Sequence, residues 1–203
     1  MLYRQKTLQP KSAIRVLTLA GSSRRQSFNQ ALVRAAQELS PEDLKIVAFA
    51  GLNELPYFDE DVEEQGDPIR VTALKDAVHE ADALLVVTPE YNAGVPAALK
   101  NAIDWASRGD SPLKEMPVAL MSASPSPMGG QRAQLQLRQT LTAIGAHVLP
   151  APDVLVGTAF QCFDADLRLI DETTRSLIAR YLLRLRDWTL AIDALHSRPV
   201  MAV

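Results

Sequence analysis

The sequence has few cysteines, histidines and aromatic residues, and it lacks any long apolar run. Its one cysteine, Cys162, cannot form an internal disulfide and suits a reducing compartment. The three histidines are scattered and show no metal-ligand spacing, so we expect no metal site. No segment approaches the roughly 18 apolar residues that a membrane-spanning helix needs. These absences argue against disulfide-rich, zinc-binding and membrane-spanning classes, and they favour a cytoplasmic protein.

Charge of neither sign dominates the chain. A formal net charge of −3 over 203 residues gives no electrostatic basis for binding nucleic acid or an anionic membrane. Residues 1–13 contain three basic residues but no apolar core, which predicts an extension or an arm on another subunit, not a signal peptide. The length suits one α/β domain, which we expect over residues 14–195, followed by a tail at 196–203.

Short runs rich in Val, Ile and Leu alternate with longer amphipathic segments. The predicted strands are 14–20, 44–49, 82–88, 116–122 and a fifth that starts at His147. The predicted helices are 28–39, 71–81, one that starts near Pro96, 131–144 and 172–195. The acidic stretch 59–67 and the proline-rich stretch 123–127 are predicted to be loops. Five strands that alternate with five helices indicate an α/β fold, a parallel sheet with helices on both faces.

Ligands of such sheets bind beyond the carboxyl ends of the strands. The first of these loops reads A-G-S-S-R-R-Q-S-F-N over residues 20–29 and leads into a helix. It lacks the Walker A and G-x-G-x-x-G patterns. Its hydroxyl and amide side chains, with Arg24 and the unpaired N–H groups of a helix start, favour a phosphate site. The alternative is plain helix capping, because Ser27-x-x-Gln30 has the capping-box pattern.

Two further loops combine turn residues with polar groups. Residues 88–96 offer Tyr91 and Asn92 to a flat polar heterocycle, and Gly94 is expected to permit a tight or left-handed turn. The alternative is an ordinary Asn-x-Gly bend with a surface tyrosine. Residues 122–132 combine hydroxyls with a glycine pair before a helix, a pattern that by itself favours a simple connection.

Two motifs in these loops resemble the NADPH-dependent FMN reductase family. They are G-S-x-R-x-x-S-x-N after the first predicted strand and T-P-E-Y-N-x-x-V-P-x-x-L-K-N-A-I-D-W after the third. The stretches 52–61 and 129–138 strengthen the resemblance, which covers about residues 14–195 and is greatest to the quinone and chromate reductases. It implies a flavodoxin-like fold with a five-stranded sheet, bound FMN, reduction by NADPH or NADH, and a homodimer or homotetramer.

The resemblance also implies roles for individual residues. Ser22, Arg24, Ser27 and Asn29 hold the FMN phosphate, with Phe28 among the cofactor-binding residues. Pro89, Glu90, Tyr91 and Asn92 run along the isoalloxazine, and Ser124 touches the flavin from the third loop. The sequence departs from the family pattern at Ser126, which lies between two prolines where a glycine is usual, and we expect a stiffer loop there to narrow the space for nicotinamide or acceptor.

The implied reaction is a ping-pong hydride transfer from NAD(P)H through FMN N5 to a small acceptor such as a quinone, chromate, an azo or nitroaromatic compound, or free flavin. The flavin performs the chemistry, so no catalytic side chain is expected. Two alternative functions are a flavodoxin-type electron carrier and a flavin-free binding protein. The apolar end of the third predicted helix, with Ile103, Trp105 and Ala106, is predicted to supply a subunit contact.

Overall fold

The computed structural model describes residues 13–150 and 153–197. Six parallel strands form one sheet in the order β2-β1-β3-β4-β5, and β6 pairs with β4 on the same side as β5. The strands are β1 Ile14–Ala20, β2 Leu44–Ala48, β3 Ala83–Thr88, β4 Pro117–Ala123, β5 His147–Val148 and β6 Val154–Val156. The helices are α1 Phe28–Glu38, α2 Glu60–Glu64, α3 Ile69–Glu80, α4 Ala97–Ala106, α5 Gln131–Ala143, α6 Ala159–Cys162 and α7 Glu172–His196.

The strand order is that of flavodoxin-like sheets, which confirms the predicted fold class. Every residue of β3 and β4 is buried, because helices cover both faces of the sheet. One core cluster packs α1 and α7 against the sheet, and a second packs α3, α4 and α5 against the other face. The predicted amino-terminal extension and carboxyl-terminal tail lie almost wholly outside the described residues.

The fifth position of the sheet is divided between two short strands. β5 pairs with the start of β4 and β6 with its end, which leaves the edge of β4 without a strand near Leu120. The hydroxyl of Tyr181, a buried residue of α7, accepts the Leu120 N–H at 3.0 Å. On the α5 side, Arg138 donates to the Leu149 carbonyl at 2.9 Å and pairs with Asp153. Side chains therefore hold the chain where strand pairing is interrupted.

The loop after β2 is fastened to α4 by two polar side chains. Asn101 accepts the Phe58 N–H and donates to the Pro56 carbonyl, both at 2.8 Å. The indole N–H of Trp105 donates to the same carbonyl at 2.8 Å. Two of the sequence stretches that carry the resemblance, residues 52–61 and the end of the T-P-E-Y-N segment, are thus bonded to each other.

Two predictions about this region are wrong. The acidic stretch 59–67 is not all loop, because Asp59 accepts the Asp61 N–H at 2.9 Å and starts α2. The end of α4 cannot supply a subunit contact, because Ile103, Trp105 and Ala106 are at most 1% exposed within the chain itself. Among the helices of the described residues, none combines the length and apolar content that crossing a membrane requires.

Candidate functional site

The loops after β1, β3 and β4 meet at the carboxyl edge of the sheet. The Gly21 N–H donates to the Val87 carbonyl at 2.8 Å, and a Cβ on Gly21 would come within 3.1 Å of the Thr88 hydroxyl oxygen. The first and third loops are linked by Asn29 and Ala123, and the second is linked to the start of α5 by Glu90 and Arg132. The three segments that the sequence singled out are therefore connected in space.

The loop after β1 presents a continuous row of free hydrogen-bond donors. Within the described part of the chain, none of the backbone N–H groups of residues 22–26 donates a hydrogen bond. Ser27 starts α1, and its hydroxyl oxygen accepts the N–H groups of Asn29 at 3.2 Å and Gln30 at 3.4 Å. The capping interpretation is thus right for Ser27, and it leaves the donors before the helix available to an anion.

Ser22 differs from Ser27 because its side chain does not support the fold through a hydrogen bond. The residue is 4% exposed, and its hydroxyl makes no hydrogen bond to any described residue. Its carbonyl is held by Gln30, whose amide N–H donates to it at 2.6 Å. Arg24 is exposed and forms no ion pair with the described residues. A hydroxyl without a hydrogen bond and a guanidinium without an ion pair therefore lie in the same loop as the free N–H groups.

Asn29 and Phe28 are committed to the fold. The Asn29 amide donates to the Ala123 carbonyl and accepts the Ala123 N–H, both at 2.9 Å, and the residue is 3% exposed. This pair of bonds ties the start of α1 to the end of β4. The Phe28 ring packs against Phe163 with centroids 5.5 Å apart. The side chains of both residues position the loop.

The loop after β3 contains a tight two-residue turn. Tyr91 and Gly94 exchange backbone hydrogen bonds of 3.0 and 2.9 Å across it. The central residues Asn92 and Ala93 have φ values of 49° and 65°, as a type I′ turn requires. The predicted tight turn is present, but its positive φ angles belong to Asn92 and Ala93 and not to Gly94. Asparagine tolerates this conformation, whereas alanine is strained in it.

Tyr91 and the preceding residue, Glu90, differ in their contacts with the rest of the protein. Tyr91 is 54% exposed and makes no ring contact within the described residues. The Glu90 carboxylate accepts the backbone N–H of Arg132 at 2.9 Å and its side-chain Nε at 2.7 Å. Burial raises the pKa of Glu90, but the hydrogen bonds and charge of Arg132 lower that pKa by more, so the net shift is downward. The buried Pro89 and the Glu90 pair thus fix the loop that presents Tyr91 and Asn92.

The loop after β4 is a folded turn and lies against β6. The Ser124 N–H donates to the Val156 carbonyl at 2.9 Å, and the Ser124 hydroxyl accepts the Ser126 N–H at 3.1 Å. The Ser126 carbonyl accepts from Gly129 and Thr158 at 3.1 and 3.2 Å. The serine that replaces the usual glycine is therefore held at the centre of a hydrogen-bonded turn.

Ser22 also borders a cleft of about 390 Å³ whose other wall is formed by residues 48–54 of the loop after β2. The loops after β3 and β4 do not line this cleft. Sequence reasoning gave the loop after β2 no role in the site, although its Leu52–Asp61 stretch contributed to the resemblance. The fastening of that stretch to Asn101 and Trp105 is what fixes the cleft wall.

The structure brings together two histidines that the sequence treats as unrelated. His147 and His196 both contact Glu115, far from the loops described above, whereas His79 lies on α3. The hydrogen bond from His147 lowers the pKa of Glu115, burial opposes the shift, and the bond from His196 adds to it. The sequence gave no signal of this cluster, because its members are 32 and 81 residues apart from Glu115.

The family described as NADPH-dependent FMN reductase matches residues 14–161. An NAD(P)H-dependent FMN reductase of Pseudomonas aeruginosa is 41% identical over 86% of this chain and 95% of its own. A quinone reductase of Escherichia coli K12 is 40% identical over 71% of this chain and 78% of its own. The solved structure of a flavoenzyme NAD(P)H:(acceptor) oxidoreductase from Paracoccus denitrificans superimposes with a TM-score of 0.81 at 30% identity and covers 88% of this chain and 98% of its own.

Proposed function

The chain belongs to the NADPH-dependent FMN reductase family, and from this premise we propose that it passes hydride from NAD(P)H through bound FMN to a small acceptor such as a quinone. It is an FMN-dependent oxidoreductase with NAD(P)H as the electron donor. The observation that supports the proposal most strongly is the run of free backbone N–H groups over residues 22–26, together with the unbonded hydroxyl of Ser22.

This loop fits the terminal phosphate of FMN. A phosphate oxygen accepts several hydrogen bonds, and the partial positive charge at the start of α1 favours a dianion. Ser22 offers its hydroxyl, and Arg24 can reach the anion from the solvent side. Asn29 contributes by holding the loop to Ala123, and Ser27 by starting the helix. The free donors have no structural use in the described protein, so a ligand that satisfies them also stabilises the loop.

The loops after β3 and β4 would hold the ring end of the cofactor. Glu90, Asn92 and Ala93 have backbone N–H groups with no acceptor in the described residues. Tyr91 offers an exposed ring, and Ser124 keeps a hydroxyl hydrogen to donate. Because Glu90 is locked to Arg132, the turn is preorganised.

Bound FMN would supply hydride acceptance from NAD(P)H and hydride release to a second substrate at the same open face, which predicts ping-pong kinetics. The protein's task is then to bind, orient and leave that face open. No described side chain near these loops forms a nucleophile–base pair, in keeping with that division of labour. We propose a quinone as acceptor, because curated relatives bear the name quinone reductase.

The alternative is an electron carrier of the flavodoxin type, which docks on protein partners. Such carriers are usually strongly acidic, and the net charge of −3 does not favour this function.

We propose that the active protein is a homodimer or homotetramer and that it works in the cytoplasm.

The test is an initial-rate study of the purified, FMN-loaded protein. NADPH and NADH are each combined with a panel of acceptors: a quinone, free flavin, an azo dye, a nitroaromatic compound and chromate. Parallel double-reciprocal lines with a quinone are expected. Turnover only through a protein acceptor would favour the electron carrier, and the absence of NAD(P)H oxidation with every acceptor would refute the proposal. Sedimentation at the assay concentration reports the oligomeric state.

A further inference from the structure

Glu115, His147 and His196 converge at a point that the proposed reaction does not use. The two imidazole Nε2 atoms lie 2.8 Å (His147) and 2.9 Å (His196) from the same oxygen, Oε2 of Glu115. All three donor atoms lie within 4.8 Å of one another. Each side chain is about one third exposed, at 35%, 35% and 28% respectively, so water and ions reach the cluster.

The cluster lies at the opposite edge of the sheet from the candidate flavin site. Glu115 precedes β4, and His147 is the first residue of β5, so both lie at the amino ends of strands. The seven residues of β4 separate this edge from Ser124 by roughly 20 Å, at about 3.3 Å per residue. His196 comes from the last turn of α7. Three separate segments therefore contribute one donor each.

We propose that Glu115, His147 and His196 form a binding site for one divalent transition-metal ion, with Zn²⁺ as the favoured occupant. Two imidazoles and one carboxylate are the donor set of several zinc sites with an open fourth position. Imidazole nitrogen favours Zn²⁺ over Mg²⁺ and Ca²⁺, which prefer sites made of oxygen ligands only. Both histidines direct Nε2 at the same carboxylate oxygen, so the three donor atoms already converge.

The adjustment that an ion would need is small. Bonds of about 2.0–2.2 Å at tetrahedral angles place neighbouring ligand atoms about 3.4 Å apart, roughly 0.5 Å wider than the two contacts to Glu115 and within the 4.8 Å that bounds every pair of donor atoms. Partly exposed side chains can make this shift by rotation. The backbones of two ligands are already fixed. Glu115 donates its N–H to the Gly145 carbonyl at 2.8 Å, and the His147 carbonyl accepts the Trp188 indole N–H at 2.9 Å.

An ion held in this way would join the end of α7 to the amino edge of the sheet. Its role would be structural, because the distance to the flavin loops exceeds any direct contact. A ligand that binds only the folded state raises stability in proportion to the logarithm of its concentration above Kd. We therefore expect the thermal midpoint to rise with Zn²⁺ while turnover with NADPH and quinone stays unchanged.

The test uses the full-length, untagged, FMN-loaded protein after dialysis against a chelator. Calorimetric titration with ZnCl2 is expected to give one ion per chain, and Co²⁺ is expected to give the visible absorption of a four-coordinate site. Glu115→Gln, His147→Gln and His196→Gln should each weaken Zn²⁺ binding by at least about tenfold. Flavin content and circular dichroism report whether each variant is folded.

Two matched variants complete the experiment. His79→Gln removes a histidine outside the cluster, and Cys162→Ser removes the single thiol; both should bind Zn²⁺ as the parent does. No saturable binding to the parent would overturn the proposal. So would binding that survives all three ligand variants, or binding that is lost with His79 or Cys162.

Discussion

Replacing either Ser22 or Ser27 separates ligand binding from fold stability within one loop. Ser22 is 4% exposed and its hydroxyl has no partner among the described residues, whereas the Ser27 hydroxyl caps α1 through two backbone N–H groups. Ser22→Ala therefore removes nothing that the protein uses without ligand. Ser27→Ala removes a helix cap.

The expected magnitudes follow from these partners. A hydrogen bond to a charged group contributes about 1.5–3 kcal/mol, so Ser22→Ala should weaken FMN binding by about 10- to 150-fold. The stability of its FMN-free form should be unchanged, because the hydroxyl makes no hydrogen bond to the described protein. Ser27→Ala should lower the stability of the FMN-free form by about 1 kcal/mol.

The assay pairs urea unfolding of the FMN-free proteins with fluorescence titration by FMN and by riboflavin. Riboflavin lacks the phosphate, so the parent and Ser22→Ala should bind it equally weakly. If Ser22→Ala binds FMN as tightly as the parent, the phosphate does not reach this hydroxyl. If Ser22→Ala instead destabilises the FMN-free form as much as Ser27→Ala, the separation of roles is wrong.

Three other changes test the account of the fold and of the chemistry. Burial raises the pKa of Tyr181 to about 12, although its hydroxyl accepts the Leu120 N–H. In the unfolded chain the tyrosine loses its proton near pH 10. The free energy of unfolding should therefore fall by about 1.4 kcal/mol per pH unit from pH 10 to 12. Urea unfolding at several alkaline pH values should show a shallower loss in Tyr181→Phe, and equal slopes would contradict the assignment. Ala93→Val should destabilise the protein by about 1 kcal/mol or more because φ is 65° there. Gly94→Ala should cost less, because Gly94 has no positive φ and its Cβ would meet the end of the Gln136 side chain at 3.2 Å and the Tyr91 carbonyl at an ordinary 3.7 Å. The reverse order in thermal unfolding would refute the turn assignment. His147→Gln and Cys162→Ala should leave quinone turnover within a few-fold, and a loss of about a hundredfold would indicate a catalytic proton transfer that the account lacks.

The central strands were predictable because burial on both faces leaves a direct mark on the sequence. Residues 82–88 are apolar without alternation, and β3 lies over Ala83–Thr88 with every residue buried. The fifth strand was harder to predict. Its division into β5 and β6 depends on Tyr181 and Arg138, which come from helices on opposite faces of the sheet. No local pattern around His147 reports those partners.

The candidate site shows the same limit. The sequence indicated which loops matter, because hydroxyls, glycines and prolines cluster where predicted strands end. The sequence could not show which residues of a loop are left to bind a ligand and which hold the loop in place. The Ser22 hydroxyl is unbonded and the Asn29 amide is bonded to Ala123, yet both are small polar residues in one motif. The sequence could not predict the Glu115 cluster, because its three segments meet only in the folded chain.

The most direct measurement of the central claim is anaerobic rapid mixing of the FMN-loaded protein with NADPH, followed by a quinone. We expect the visible flavin absorbance to bleach with NADPH before any acceptor is present, and to return when the quinone is added, with both rates at least as fast as steady-state turnover. Bleaching that requires NADPH and quinone together would contradict a reaction in which the donor leaves before the acceptor binds.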